Sequence, residues 1–156
     1  MERPTQRPQN QKSGYRSTLV VWLTLGLSVF WHNHAQAQSG EKTHRIVFHL
    51  ATADTLAHKA LVKQISNVLD YWKTAVIEVV VHNNGIGFMK QGETRLANEI
   101  AVLKAQNVIF AVCENTLKQR KIDKSQILPT ATFVPVGIAE IVLRQEEGWA
   151  YIKAGF

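Results

Sequence analysis

The segment Ala75-Val76-Ile77-Glu78-Val79-Val80-Val81-His82 constrains this chain more than any other stretch. It is nearly continuous in β-branched residues and shows no alternation of apolar with polar positions. A strand that is apolar in both phases is buried on both faces, and such strands belong to parallel sheets with helices on either side.

The flanking sequence supplies those helices. Arg45-Ile46-Val47-Phe48-His49-Leu50 is a short β-rich run, and Leu56, Leu61, Val62, Ile65, Val68, Leu69 and Trp72 then recur at helical spacing, with Thr52 or Asp54 placed to cap the helix start. Leu96, Ile100 and Leu103 mark a second helix. The run Asn107-Val108-Ile109-Phe110-Ala111-Val112 is a third strand ending at Cys113, and a short helix follows through Leu117 to Lys121. Ala131-Thr132-Phe133-Val134-Pro135 is a fourth strand, Ile138, Ile141, Val142 and Gln145 trace a fourth helix stopped by Gly148, and Trp149-Ala150-Tyr151-Ile152-Lys153 closes the fold. Strands alternating with helices in this way predict an α/β domain, a flavodoxin-like doubly wound five-stranded parallel sheet in the order 2-1-3-4-5. Ligands bind such sheets outside the carboxyl ends of the strands, where the strand order reverses, which in that order lies between strands one and three.

The domain is preceded by a different kind of sequence. Residues 1–16 are polar and carry Arg3, Arg7, Lys12 and Arg16, the apolar run from Leu19 to Trp31 follows, and Ala35-x-Ala37 has the small-residue pattern that signal peptidase accepts. The apolar run is shorter than the roughly 20 residues a spanning helix needs, and no stop-transfer cluster follows it. We therefore expect a Sec-type signal peptide over 1–37, cleaved after Ala37, a polar lead-in over 38–44, and one domain over 45–156 in the periplasm with no stable membrane span.

Removing the leader leaves 14 Lys+Arg against 11 Asp+Glu, a small basic excess that argues against nucleic acid as a partner. The basic residues are scattered apart from Lys118, Arg120, Lys121 and Lys124, which form either a solvated helix face or a patch that steers anions. The only cysteine is Cys113, so no intramolecular disulfide can staple the domain.

The candidate site lies where the polar residues leave the strands. Cys113 is either a small buried hydrophobe or a nucleophile; at a helix start formed by Glu114, Asn115 and Thr116 the thiol would meet unpaired amides that favour thiolate, with Glu114 working against this. His82 is either a base toward Cys113 or a neutral residue at a strand end, and His49 is the weaker of the two as a functional group. Asn83, Asn84, Gly85 and Gly87 offer backbone amides for an anion, or form a plain turn, and Pro135 and Gly137 leave strand four toward the same rim. The glycines lack dinucleotide or P-loop spacing, the histidines lack zinc spacing, and no Gly-x-Ser-x-Gly elbow is present, so we expect neither a nucleotide or other cofactor nor a metal.

The combination of His82-Asn83-Asn84-Gly85-Ile86-Gly87, Val112-Cys113-Glu114-Asn115-Thr116-Leu117, Val134-Pro135-Val136-Gly137-Ile138-Ala139-Glu140-Ile141 and Gln145-Glu146-Glu147-Gly148-Trp149-Ala150-Tyr151-Ile152-Lys153 resembles the DsrE/DsrF-like family. The resemblance implies a flavodoxin-like subunit that assembles into trimers or hexamers. It also implies sulfur carried as a persulfide on the cysteine after strand three, here Cys113, exchanged with a thiol-bearing donor or acceptor protein. The segment Cys-Glu-Asn-Thr differs from characterised carriers of that kind, and a rhodanese Cys-x-x-x-x-Arg loop is absent, Lys118 standing where the arginine would be. Three readings follow: a persulfide carrier with Cys113 and His82 as its chemical groups, a non-catalytic oligomeric binding module with a buried structural cysteine, and a redox switch through an intermolecular Cys113–Cys113 disulfide.

Overall fold

A computed structural model describes residues 43–155. The signal peptide expected over 1–37 lies outside the described residues. The elements, in chain order, are β1 (Arg45–Leu50), α1 (Thr55–Tyr71), β2 (Val76–Val81), a 3-10 turn (Asn83–Phe88), α2 (Ala97–Ala105), β3 (Ile109–Cys113), α3 (Glu114–Arg120), a second 3-10 turn (Lys124–Gln126), β4 (Ala131–Val134), α4 (Gly137–Glu146) and β5 (Ala150–Ala154). Each expected strand and helix is present. Asp54, rather than Thr52, caps α1, its Oδ1 accepting the Leu56 N–H at 2.8 Å, and Gly148 beyond α4 takes the left-handed conformation, φ 82°, expected of it. No helix among the described residues is long and apolar enough to cross a membrane.

All strand pairs are parallel, and the sheet order is β4-β3-β2-β1-β5. This corrects the expected order 2-1-3-4-5. The physical reason is burial: β2, with Val79, Val80 and Val81 fully buried, sits inside the sheet between β1 and β3, whereas the expected order would have made it an edge. The true edges are β4 and β5, whose residues are mostly exposed or half-buried.

The order also fixes which helix covers which face. β1 to β4 step in one direction, so right-handed crossovers put α1, α2 and α3 on one face; the connection from β4 to β5 runs back across the sheet and puts α4 on the other. The packing agrees. Phe48, Leu50, Ile77, Val79 and Phe110 pack with Leu61 and Ile65 of α1, Leu103 of α2 and Leu117 of α3, while Val47, Val80, Ala111 and Val134 pack with Ile141 of α4. The point where connections leave neighbouring strands toward opposite faces therefore lies between β3 and β4 rather than between β1 and β3. Cys113 remains on it, because Cys113 and Val134 are register partners.

Glu78 is the one charge that the opening segment carries into the core. It is 1% exposed, and Arg144 of α4 reaches it with Nε 2.5 Å from Oε2. Arg144 also pairs with Glu140 at 2.8 Å and Glu147 at 3.2 Å, and its guanidinium lies over the Trp149 ring. Burial pushes the Glu78 carboxyl above its ordinary range, and Arg144 pulls it only part of the way back.

Candidate functional site

Cys113 ends β3 and is the N-cap of α3. By strand alternation its side chain shares the α4 face with Ala111, and it is 4% exposed. α4 begins directly over it: the Gly137 N–H donates to Cys113 Sγ at 3.2 Å. A side chain at this position would crowd that approach, since a Cβ on Gly137 would stand 3.2 Å from Cys113 Cβ, 3.3 Å from His82 Cβ and 3.3 Å from Val80 Cγ1, and these neighbours would have to give by a few tenths of an ångström.

A second set of donors comes from α3. The Thr116 hydroxyl accepts the Asn83 N–H at 3.1 Å, so its own hydrogen is free for the sulfur. The Asn115 N–H donates to the Pro135 carbonyl at 3.1 Å and points its dipole into the neighbourhood of the sulfur. Burial pushes the thiol up, but the Thr116 side chain, then the amides of Gly137, Thr116 and Asn115, outweigh it and hold Cys113 below the ordinary thiol value. Glu114 does not oppose this as its sequence position suggests, because Lys124 pairs with it and lies 4.6 Å from the Phe133 ring centroid.

Thr116 was not among the expected site residues. It stands at the third position of a helix whose N-cap is Cys113, the spacing from which a side chain reaches back to the cap, and this was the signal that would have identified it. The Thr116→Val variant removes the hydroxyl donor and leaves the Asn83 amide unpaired. We expect alkylation of native Cys113 at neutral pH to slow about tenfold, as befits loss of one hydrogen bond to an ionised group; a rate equal to wild type would contradict the hydrogen-bond account of the thiol.

His82 follows β2, and continuing the register of Val81 with Val112 by one residue sets it across from Cys113. Its ring stacks on His49, with centroids 4.7 Å apart and planes 11° from parallel, and the two Nε2 atoms are 2.6 Å apart. His49 Nδ1 lies 2.8 Å from the Tyr151 hydroxyl. Burial lowers the pKa of both rings, and for His49 the neighbouring His82 and Lys153 lower it further. His49, weighed as the weaker candidate, is thus joined to His82, and Tyr151 is a group that sequence reasoning did not find.

The remaining expected residues separate. Asn83 and Asn84 turn their Oδ1 atoms to Arg120 Nη2 at 3.1 and 2.6 Å, which anchors one of the four clustered cations. Gly85 is enclosed by backbone, a Cβ there falling 2.5 Å from the Leu50 carbonyl oxygen. Gly87 and Asn84 line a cleft of about 580 Å³ with Lys59, Arg95 and Arg120, which Cys113 does not line. Glu114, Asn115 and Pro135 line a separate cleft of about 590 Å³, which Cys113 does not line either. Among the described residues no group of three or more His, Cys, Asp or Glu side chains is arranged to hold a metal ion.

Comparison with other proteins places this geometry. No curated protein matches the chain. A solved structure, that of a protein of unknown function from Methanobacterium thermoautotrophicum, is similar at 31% identity and a TM-score of 0.68, over 70% of this chain and 98% of that one. The profile of the DsrE/DsrF-like family matches residues 33–154. With that match spanning most of its length and a relative of the same fold, the chain belongs to the DsrE/DsrF-like family.

Proposed function

We propose that this protein handles sulfane sulfur and carries it as a persulfide on Cys113. Family membership speaks for a role related to sulfur relay. The observation that carries the finer reading is the Gly137 N–H on Cys113 Sγ, an amide from the first turn of α4 aimed at a thiol between two strands whose connections diverge. Such a donor favours thiolate, and it can also stabilise the charge of a bound persulfide.

The exchange needs no added oxidant. The Cys113 thiolate attacks the outer sulfur of a persulfide R–S–SH, the S–S bond of the donor breaks, R–S⁻ leaves, and Cys113–S–SH remains. An acceptor thiolate reverses the step. The leader sequence supports the periplasm as the place for this exchange, and kinship with the family supports a thiol-bearing protein as donor or acceptor and assembly into a homo-oligomer.

Incubating the purified protein with polysulfide is expected to add one sulfur atom by intact mass, with the adduct lost on reduction and absent from Cys113→Ala. No adduct, together with slow alkylation of native Cys113, would favour instead the binding module with a structural cysteine. The 4% exposure of Cys113 is the observation on the side of that second reading.

A further inference from the structure

One cluster on the α4 face has no part in the exchange described so far. Because β5 lies beside β1, Tyr151 pairs with Val47 and Lys153 with His49. Strand alternation then sets Tyr151, His49, His82 and Cys113 on one face of the sheet. The spacing of the histidines is decisive. Two Nε2 atoms 2.6 Å apart hold one proton between them, so one ring donates and the other accepts. The Tyr151 hydroxyl, which can do either, is 2.8 Å from the far nitrogen of His49, and Tyr151 is 41% exposed, so the row ends in water. At its other end His82 and Cys113 flank the same glycine, with their Cβ atoms 3.3 and 3.2 Å from where a Gly137 Cβ would be.

We propose that His82, His49 and Tyr151 form a proton wire that joins Cys113 to solvent, with His49 and Tyr151 as positioning residues that fix the tautomer of His82. The proposal rests on the persulfide reading for its chemistry. The hydrogen-bond partner of Sγ at rest is the Gly137 amide, so His82 Nδ1, the ring nitrogen not engaged with His49, turns toward the sulfur across Gly137 to take the proton as the thiol ionises. The proton on His82 Nε2 moves to His49 Nε2, that on His49 Nδ1 moves to the Tyr151 oxygen, and the Tyr151 hydroxyl proton leaves to water. Reversal of the chain returns a proton to the departing R–S⁻. In sum Cys113–SH and R–S–SH give Cys113–S–SH and R–SH, with no net proton and no change in oxidation beyond the transferred sulfur.

Other groups around the pair do not break the chain. Lys153 of β5 repels protonation of His49. From α4 the rim receives Gly137, which has no titratable side chain, and Glu140 further along is held by Arg144. Both rings are depressed by burial, so each is a neutral acceptor at neutral pH, protonating only as pH falls below the ordinary imidazole range.

The test uses the Tyr151→Phe and His49→Gln variants of the full chain. Two rates are measured: sulfur loading from polysulfide, and alkylation of Cys113 by neutral iodoacetamide across the imidazole and thiol titration ranges. Loading is expected to slow by about a hundredfold in each variant, the lower range of general acid and base effects. Alkylation above the thiol titration is expected to match wild type, whereas the imidazole step in its pH profile shifts. If both variants load at the wild-type rate, or their alkylation profiles superimpose on wild type, the wire is wrong. Should the wild type itself take up no sulfur, the persulfide reading fails while the alkylation profiles still decide for or against the wire. Tyr151→Phe keeps the ring and removes only the hydroxyl, so it decides the matter if His49→Gln does not fold.

Discussion

Replacing Arg144 with methionine is expected to destabilise the domain by about 3 to 5 kcal/mol at neutral pH, because it leaves the Glu78 carboxylate buried without its partner. Glu78 is 1% exposed in the strand at the centre of the sheet, so water cannot take over the role of the guanidinium. The loss should depend on pH in a defined direction. Burial already raises the folded-state pKa of Glu78 above its unfolded value, so the folded state binds the proton more tightly. Stability is then greatest at low pH and falls as pH rises through the raised folded value. Urea melts of Arg144→Met should therefore show the largest deficit at neutral pH and a smaller one in acid. The double variant Glu78→Gln with Arg144→Met should recover most of the loss, since it removes the charge that was stranded. A deficit that does not change with pH, or a double variant no better than the single, would mean that Arg144 acts through its packing on Trp149 and not through the ion pair.

Gly85→Ala is expected to cost about 3 kcal/mol, at the upper end for overpacking, because the new methyl meets backbone rather than a movable side chain. The Leu50 oxygen 2.5 Å away is itself held, accepting the His82 N–H at 3.1 Å. Either the turn shifts or the end of the β1–β2 ladder opens. Both routes disturb Asn83, which opens the turn and supplies the amide to Thr116, so the variant should also alkylate more slowly at Cys113. Gly92→Ala is the control. It has open space around it, and its cost is the roughly 1 kcal/mol of a left-handed backbone, φ 77°. Thermal or urea melts that find the two glycine variants equally stable would remove the steric argument.

The elements of this fold were legible because each rests on a local pattern. The β-branched run of β2, the i, i+4, i+7 apolar residues of α2 and the glycine after α4 are all signals within a dozen residues of chain. Strand order is a different kind of property. It depends on which strand each helix carries the chain toward, and the deciding clue, that β2 is apolar in both phases and so belongs in the interior, lay in the sequence without being applied to the order. The site divided along the same line. Cys113, Asn115 and Gly137 were found because a strand end and a helix start are local features, and they meet at the β3–β4 boundary under the true order. Tyr151 was not found because it neighbours His49 only when β5 lies beside β1; in the order 2-1-3-4-5 it would sit at the far edge. Gly85 and Gly87 were expected to line a binding site as part of one glycine loop, yet one is packed on backbone and the other faces a separate cleft, a distinction set by tertiary contacts alone.

The pairing of β1 with β5 has a consequence for how the molecule comes into being. The first strand of the domain to leave the ribosome keeps one edge open until the last strand has been made, while β2, β3 and β4 can add in turn to its other side as each emerges. The final ladder closes across more than a hundred residues of chain, Ile46 against Ala150, and so belongs to the slow, non-local part of folding. The contact between His49 and Tyr151 spans the same interval. A nascent or C-terminally truncated chain can thus hold Cys113 at its strand end before it owns the tyrosine at the far end of the row, and the Cys113 face is complete only once β5 has been made.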